Sequence, residues 1–93
     1  METSYEIIIS LRAVTGWLTF GYFQSGYHKE QAVSTFESLV GRPDEQVSTL
    51  RMELFEHGPS GSLPLANKSC NLEELSENVR IITRDAFKYV NLE

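Results

Sequence analysis

Apolar and polar side chains alternate along the first part of the chain, as they do in a strand with one buried face. Residues Tyr5 to Ala13 carry an apolar side chain at every second position, with mostly polar residues between them. After Thr15-Gly16, which can turn the chain, a β-rich aromatic run extends from Trp17 to Phe23. The pattern predicts strands over Tyr5–Ala13 and Trp17–Phe23, paired as an antiparallel hairpin.

The spacing of apolar residues changes to three and four after Ser25-Gly26. From about His28 to Val40, apolar side chains recur at the intervals of an amphipathic helix. Gly41 is the expected left-handed residue that ends this helix, and Pro43 prevents its continuation. We therefore expect the first helix to end at Val40.

Alternation returns in Val47–Glu56, which predicts a third strand. After a loop rich in glycine and proline, Leu63–Asn67 predicts a short fourth strand. Pro64 cannot donate a hydrogen bond to a neighbouring strand, so it restricts this segment to a sheet edge or to the start of a strand.

Asn71 and Glu74 have the spacing of a capping box, in which the two side chains satisfy free amide groups at a helix start. An apolar stripe at helical spacing follows to about Tyr89. A competing interpretation ends the helix near Asn78 and makes the β-branched segment Val79–Thr83 a strand. The uninterrupted stripe and the absence of glycine and proline favour the continuous helix.

A two-layer α+β domain is predicted by the order of these elements, which is strand, strand, helix, strand, a short fourth strand, and helix. Its antiparallel sheet has three or four strands, and two helices pack on one face. We expect one domain over residues 1–91, since Leu92-Glu93 match what a common cloning site leaves before a purification tag. The predicted core consists of the apolar sides of these elements: Ile7, Ile9, Leu11, Phe36, Leu39, Leu50, Met52, Leu54, Leu75, Val79 and Ile82.

Charge and cysteine content narrow the choice of partners and compartment. Eight Lys and Arg against thirteen Asp and Glu give a net charge of −5, which disfavours binding to a nucleic acid backbone. No stretch approaches the roughly 18 apolar residues of a membrane span, and the polar start lacks the features of a signal peptide. The single Cys70 cannot form an internal disulfide, which fits a reducing compartment. We expect a cytoplasmic protein with neither nucleic acid nor membrane as partner.

Residues able to support catalysis are few, and none forms a recognisable motif. Glu53, Glu56 and His57 are close in sequence, but a solvated strand end explains them better than a metal site. Cys70 precedes the second helix, where the helix dipole could activate a thiol, but a buried structural cysteine is the more frequent arrangement. The sequence therefore favours a protein that is not an enzyme, with no catalytic residues, no metal and no cofactor.

The informative feature is aromatic, because five of the ten aromatic residues fall between Trp17 and Tyr27. Alternate side chains of a strand point to opposite faces, so the aromatic residues cannot all enter the helix-covered core unless a bulge intervenes. Ile8 and Phe55 likewise stand opposite the core residues of their own strands. We expect an exposed apolar patch made of Ile8, Trp17, Phe23 and Phe55.

Two functions are consistent with these features. The favoured one is a protein-interaction module that binds another protein, most simply a second copy of itself, through this aromatic face or a sheet edge. The alternative is a small-molecule binding domain with a pocket between the second strand and the first helix, where Tyr22, Tyr27 and His28 supply polar groups. A bulge at Gly21, or Leu63–Asn67 folded over the sheet, would instead hide the patch within one chain.

Truncation of Phe36 tests the predicted packing of the first helix. We expect Phe36→Ala to cost about 3–5 kcal/mol, which is comparable with the whole stability of a small domain. The variant should therefore be unfolded at room temperature by circular dichroism. Thermal unfolding at the parent temperature would show that this helix does not pack as predicted.

Overall fold

The computed structural model describes residues 3–42 and 49–91. Its elements in chain order are β1 (Ser4–Ala13), β2 (Gly16–Gln24), α1 (Lys29–Ser38), β3 (Leu50–Gly58), β4 (Gly61–Cys70) and α2 (Leu72–Asn91). The strands form one antiparallel sheet in the order β2-β1-β3-β4. This arrangement confirms the predicted α+β fold, with the fourth strand present. Pro43, the predicted start of β3 at Val47, and Leu92-Glu93 lie outside the described residues.

The core lies between the two helices and one face of the sheet. The central strands β1 and β3 bury every second residue on this face, and both helices contribute to the same cluster. The buried apolar residues are Tyr5, Ile7, Ile9, Ala32, Phe36, Leu39, Leu50, Met52, Leu54, Cys70, Ile81 and Ile82. Leu11 and Leu75 pack against this cluster while partly exposed, and Val79, predicted in the core, is only half-buried.

The side chain of Asn78 connects α2 to the segment that follows α1. It is 0% exposed, and its Oδ1 accepts a hydrogen bond of 2.6 Å from the backbone N–H of Val40. Its Nδ2 donates to the carbonyl oxygen of Val40 at 2.9 Å and contacts the sulfur of Met52 at 3.4 Å. A buried amide that is fully paired in this way fixes the segment after α1 against α2 and β3.

The buried face of α2 overlaps only in part with the one that apolar spacing predicts: Ile82 is buried and Leu75 packs against the core as predicted. Leu72, at the start of the apolar stripe, is 67% exposed, whereas Asn78, Ile81 and Asp85 are buried. The helix is turned towards these residues because Asn78 and Asp85 each have a hydrogen-bond partner on the α1 side of the core. Polar pairing therefore sets the orientation of α2.

α1 ends at Ser38, two residues before the predicted end at Val40. Leu39 adopts an extended conformation, and the Lys68 ammonium group donates to the carbonyl oxygens of Phe36, Glu37 and Leu39 at 2.9–3.1 Å. These bonds satisfy carbonyl groups that a helix end leaves without partners. Burial lowers the pKa of Lys68.

Gly41 does not have the left-handed conformation that we predicted for it. It is required for a different reason, because a Cβ atom there would lie 2.5 Å from the carbonyl oxygen of Ser69. The neighbouring Arg42 pairs with Ser69 through two backbone hydrogen bonds of 3.0 and 2.8 Å. The chain after α1 thus runs directly against the outer edge of β4.

The predicted start of α2 and its continuity are both confirmed. Asn71 Oδ1 accepts from the Glu74 N–H at 2.8 Å, and Glu74 Oε1 accepts from the Asn71 N–H at 2.9 Å. This is the reciprocal pattern of a capping box. α2 continues without a break through Val79–Thr83, so the alternative strand there is wrong.

Removal of the Asn78 side chain tests its role in joining α2 to the segment that follows α1. We expect Asn78→Ala to lower the free energy of unfolding by about 2–4 kcal/mol, because both backbone groups of Val40 lose a buried partner. Equilibrium urea unfolding measures the change. Asn67→Ala, at an exposed position of β4, is the control and should stay within about 0.5 kcal/mol of the parent. Equal midpoints for the two variants would contradict this role.

Candidate functional site

A β-bulge in β2 decides which aromatic side chains face the helices. Ile9 pairs with Gly21 but the next residue of β1, Ser10, pairs with Thr19, so Phe20 is the extra residue. As a result Trp17 lies on the face away from the helices, whereas Phe23 packs against the core. The Phe23 ring also explains the glycine in this strand, because a Cβ at Gly21 would lie 3.1 Å from it.

We call the sheet side opposite the helices the outer face. The register places on it these side chains: Ser4, Glu6, Ile8, Ser10 and Arg12 of β1; Trp17, Thr19, Tyr22 and Gln24 of β2; Arg51, Glu53, Phe55 and His57 of β3; Ser62, Pro64, Asn67 and Ser69 of β4. Within residues 3–42 and 49–91, neither helix packs on this side. A sheet face left without a helical layer brings its large side chains to the surface.

Of the four residues predicted to form an exposed patch, the structure brings three to the outer face. Ile8 is half-buried in its middle, Phe55 is half-buried towards the Glu6 end, and Trp17 is half-buried at the Arg12 end. Phe23 lies on the opposite face because of the bulge. Tyr22, predicted to serve a pocket, lies beside Ile8 on the outer face and is 65% exposed.

Two arginines surround Trp17 at its end of the outer face. The guanidinium carbon of Arg51 lies 4.4 Å from the centre of the Trp17 ring, and that of Arg12 lies 5.9 Å from it. Arg51 also forms an ion pair with Glu53 at 3.8 Å. These cation–π contacts hold the indole in place.

The other end of the outer face carries a carboxylate, an imidazole and a hydroxyl group in one hydrogen-bonded array. His57 Nε2 lies 2.8 Å from Glu6 Oε1, and His57 Nδ1 lies 2.6 Å from Ser62 Oγ. The imidazole also stacks on Phe55, with ring centres 6.3 Å apart and 10° between the planes. The three polar residues come from β1, β3 and β4, so the register of the sheet assembles the array.

A cavity of about 280 Å³ lies on the helix side of the molecule, next to the end of β2. Its lining comes from the connection between β2 and α1, including Tyr27, and from α1 and α2. It thus uses one of the three residues predicted for a pocket: His28, the exposed N-cap residue of α1, is not part of the lining, and Tyr22 lies on the outer face.

A buried polar pair forms one wall of this cavity. Thr35 Oγ1 donates to Asp85 Oδ2 at 2.8 Å, and Arg84 Nε lies 3.2 Å from Asp85 Oδ1. Asp85 is 7% exposed and Thr35 is 2% exposed. Neither residue stands out in the sequence, because an isolated threonine and an isolated aspartate on two helices carry no sequence pattern.

Cys70 is buried in the core, and burial raises the pKa of its thiol. A thiol with a raised pKa is protonated at neutral pH and is a poor nucleophile. Glu53 and His57 lie on the outer face, whereas Glu56 lies on the core face and accepts a hydrogen bond from the hydroxyl of Tyr5. That bond raises the pKa of Tyr5. Within the described residues, no three metal-binding side chains come together.

Sequence reasoning did not identify the array of Glu6, His57 and Ser62. Its members are distant or unremarkable in sequence, and only the pairing of β1 with β3 brings Glu6 to His57. One signal was present, because His57 and Ser62 are the first and last residues of the predicted Gly/Pro loop, and the structure pairs them across the hairpin. Position alone does not show that the side chains contact each other.

Comparisons with known protein families, curated proteins and solved structures give no match. Within the described residues, no helix is long and apolar enough to cross a membrane. The function must therefore be argued from the outer face and the cavity themselves.

The buried pair beside the cavity can be tested by Thr35→Val, which keeps the shape of the side chain. We expect a loss of about 1–3 kcal/mol in the free energy of unfolding, because the buried Asp85 carboxylate loses a donor. Chemical denaturation measures the difference. Thr83→Val, at an exposed position on α2, provides the matched control and should have little effect. A Thr35 variant as stable as this control would show that the bond contributes nothing.

Proposed function

We propose that this protein is an interaction module that associates with a second copy of itself through the outer face. The observation that carries the proposal is the set of half-buried apolar side chains, Ile8, Trp17 and Phe55, on a face that neither helix covers in the described residues. Complete burial of a fully exposed large apolar side chain contributes about 1.5–3 kcal/mol, and these half-buried side chains would gain the remaining part of that amount. Contiguous apolar surfaces on small proteins are typical of binding sites.

The charges of the outer face favour a second copy as the partner. Although the whole chain carries −5, the outer face carries two arginines, Arg12 and Arg51, and two glutamates, Glu6 and Glu53, in its described part. Two such faces meet without net repulsion. The charges are also polarised, because Arg12 and Glu6 stand about 20 Å apart along β1.

This polarity selects one arrangement of the two copies. A two-fold axis that lies between the faces and perpendicular to the strands places the Arg12 end of each copy over the Glu6 end of the other. Both ends then meet opposite charge, and one self-complementary surface closes the assembly. An axis parallel to the strands would place like charges over each other.

Association through a sheet edge is the less favoured route. β2 is an edge strand, and Leu18 and Phe20 on it are more than half exposed. However, the bulge at Phe20 interrupts the row of backbone groups that a second strand would pair with. At the other edge, Arg42 already pairs with β4 at Ser69.

A second candidate function is small-molecule binding, and the cavity beside Tyr27 and Asp85 is the observation that favours it. An apolar cavity with a few polar groups is the usual form of such a site. The two candidates are distinguished by sedimentation, because self-association depends on protein concentration and occupation of a cavity does not.

The association is tested by Trp17→Glu and Phe55→Glu, each of which places a charge within the proposed contact, one towards each end of the outer face. We expect each variant to remain folded and to weaken dimerisation at least about tenfold in sedimentation equilibrium, as loss of a buried aromatic contact usually does. Phe87→Glu is the matched control, because Phe87 is an equally large, 64% exposed aromatic residue on α2. It should leave dimerisation unchanged.

Three results would contradict the proposal. The first is a parent protein that sediments as a monomer at high micromolar concentration. The second is equal weakening by Phe87→Glu, which would place the contact elsewhere. The third is unfolding of both outer-face variants, which would show that Trp17 and Phe55 stabilise the single chain.

A further inference from the structure

We propose that Ser62 is an activated nucleophile that accepts an acyl group from activated esters and thioesters. The base is His57 and the residue that positions it is Glu6. This inference goes beyond self-association and needs only a single chain. Its basis is the geometry of the array on the outer face, in which each ring nitrogen of His57 has a partner within 2.8 Å.

The partners of His57 determine which ring nitrogen carries the hydrogen in the neutral imidazole. A carboxylate accepts hydrogen bonds and donates none, so the 2.8 Å contact with Glu6 requires a hydrogen on Nε2. Nδ1 then presents its lone pair to Ser62, and the hydroxyl hydrogen of Ser62 points to it across 2.6 Å. Glu6 thereby selects the tautomer in which the imidazole is a base towards Ser62.

This is the arrangement by which a weak nucleophile is activated: a hydroxyl group, a base within hydrogen-bond distance, and a third group that orients the base. The array is also held rigidly, because its residues come from three strands and Phe55 stacks on the imidazole ring. Fixed strands hold such groups more accurately than loops do.

The surroundings indicate the class of acyl donor. Ser62 is exposed at the start of β4, and 34% of the His57 side chain is exposed, so a donor in solution reaches the hydroxyl. Water reaches the exposed Ser62 hydroxyl as readily as a donor does. Donors with a good leaving group, such as aryl esters and thioesters, therefore fit better than amides. Phe55 and Pro64, paired beside the site, offer an apolar surface to a short acyl chain.

The reaction is a transfer of one acyl group without oxidation or reduction. The Oγ atom of Ser62 bonds to the carbonyl carbon while its proton moves to His57 Nδ1, and the imidazolium is stabilised by the Glu6 carboxylate. The bond from the carbonyl carbon to the leaving group then breaks, and the leaving group departs with the bonding electron pair. The proton passes from His57 to the leaving group or to solvent. The product is an ester on Ser62.

The test uses p-nitrophenyl acetate with dilute protein, so that association through the outer face does not cover the site. We expect release of p-nitrophenolate and a mass increase of one acetyl group, located on Ser62 by peptide mass spectrometry. Ser62→Ala should abolish this modification. His57→Ala should slow it about 100-fold, which is a usual contribution of a general base. Glu6→Gln should slow it about tenfold or more, because an amide no longer enforces the tautomer.

Matched controls come from the same chain. Ser60→Ala removes an exposed serine of the same hairpin, and His28→Ala removes the other histidine, which is also exposed. Both variants should acetylate at the parent rate. Acetylation at other residues with Ser62 unmodified, or equal rates in the parent and the His57 variant, would overturn the proposal.

A measurement on the parent protein keeps the proposal testable even where a variant unfolds. Nitrogen chemical shifts of His57 in labelled protein report which ring nitrogen carries the hydrogen. The proposal requires the neutral ring to be protonated at Nε2. A neutral His57 protonated at Nδ1 would overturn it, because that nitrogen could not then accept the proton of Ser62.

Discussion

The pairing of Asn78 with Val40 is the interaction on which the arrangement of the helices depends. A buried amide is costly without partners, and here the backbone of one residue supplies both a donor and an acceptor. This pairing turns α2 so that Asp85, seven residues further on, also faces α1 and meets Thr35. The cavity beside that pair is thus a product of polar contacts between the helices. Apolar packing alone would have chosen the stripe through Leu72 and Val79.

Because both helices are used on one face of the sheet, the outer face is covered by its own side chains in the described part of the chain. Arginine stacks on Trp17 at one end and the imidazole of His57 stacks on Phe55 at the other. Such contacts shield apolar rings from water without enclosing them, and they keep charged groups at fixed positions. The absence of a helical layer in the described residues thus underlies both features that we propose for this face. One is apolar surface that suits association, and the other is an ordered hydroxyl group with its base.

The sequence predicts the elements of this fold well and their detailed placement less well. Strong periodicity identifies β1 and α2, and the capping box at Asn71 locates the start of α2 correctly. The shift of α2 towards Asn78 could not be predicted, because it depends on a backbone partner that only the folded chain supplies. The role of Gly41 likewise depends on the approach of β4, which is distant in sequence.

The candidate sites were less predictable than the fold for the same reason. Trp17 and Phe55 were expected on an exposed face, but the bulge at Phe20 moved Phe23 to the other side. Gly21 allowed for a bulge in this run, and the extra residue Phe20 directly precedes it, but a glycine in a strand does not by itself distinguish a bulge from a close approach. The array at His57 could be predicted only with knowledge of the strand order, because Glu6 and Ser62 belong to β1 and β4, the two neighbours of β3.

The strand order also has a consequence for how the chain reaches this structure. β1 with β2, and β3 with β4, are hairpins closed by short turns, and each can form from local contacts. The pairing of β1 with β3 at the centre joins residues about 40 to 50 positions apart, such as Leu11 and Leu50, and therefore carries most of the loop-closure entropy. We therefore expect the pairing of β1 with β3 to limit the rate of folding, so that substitutions along this pair slow folding more than equally destabilising ones within either hairpin turn.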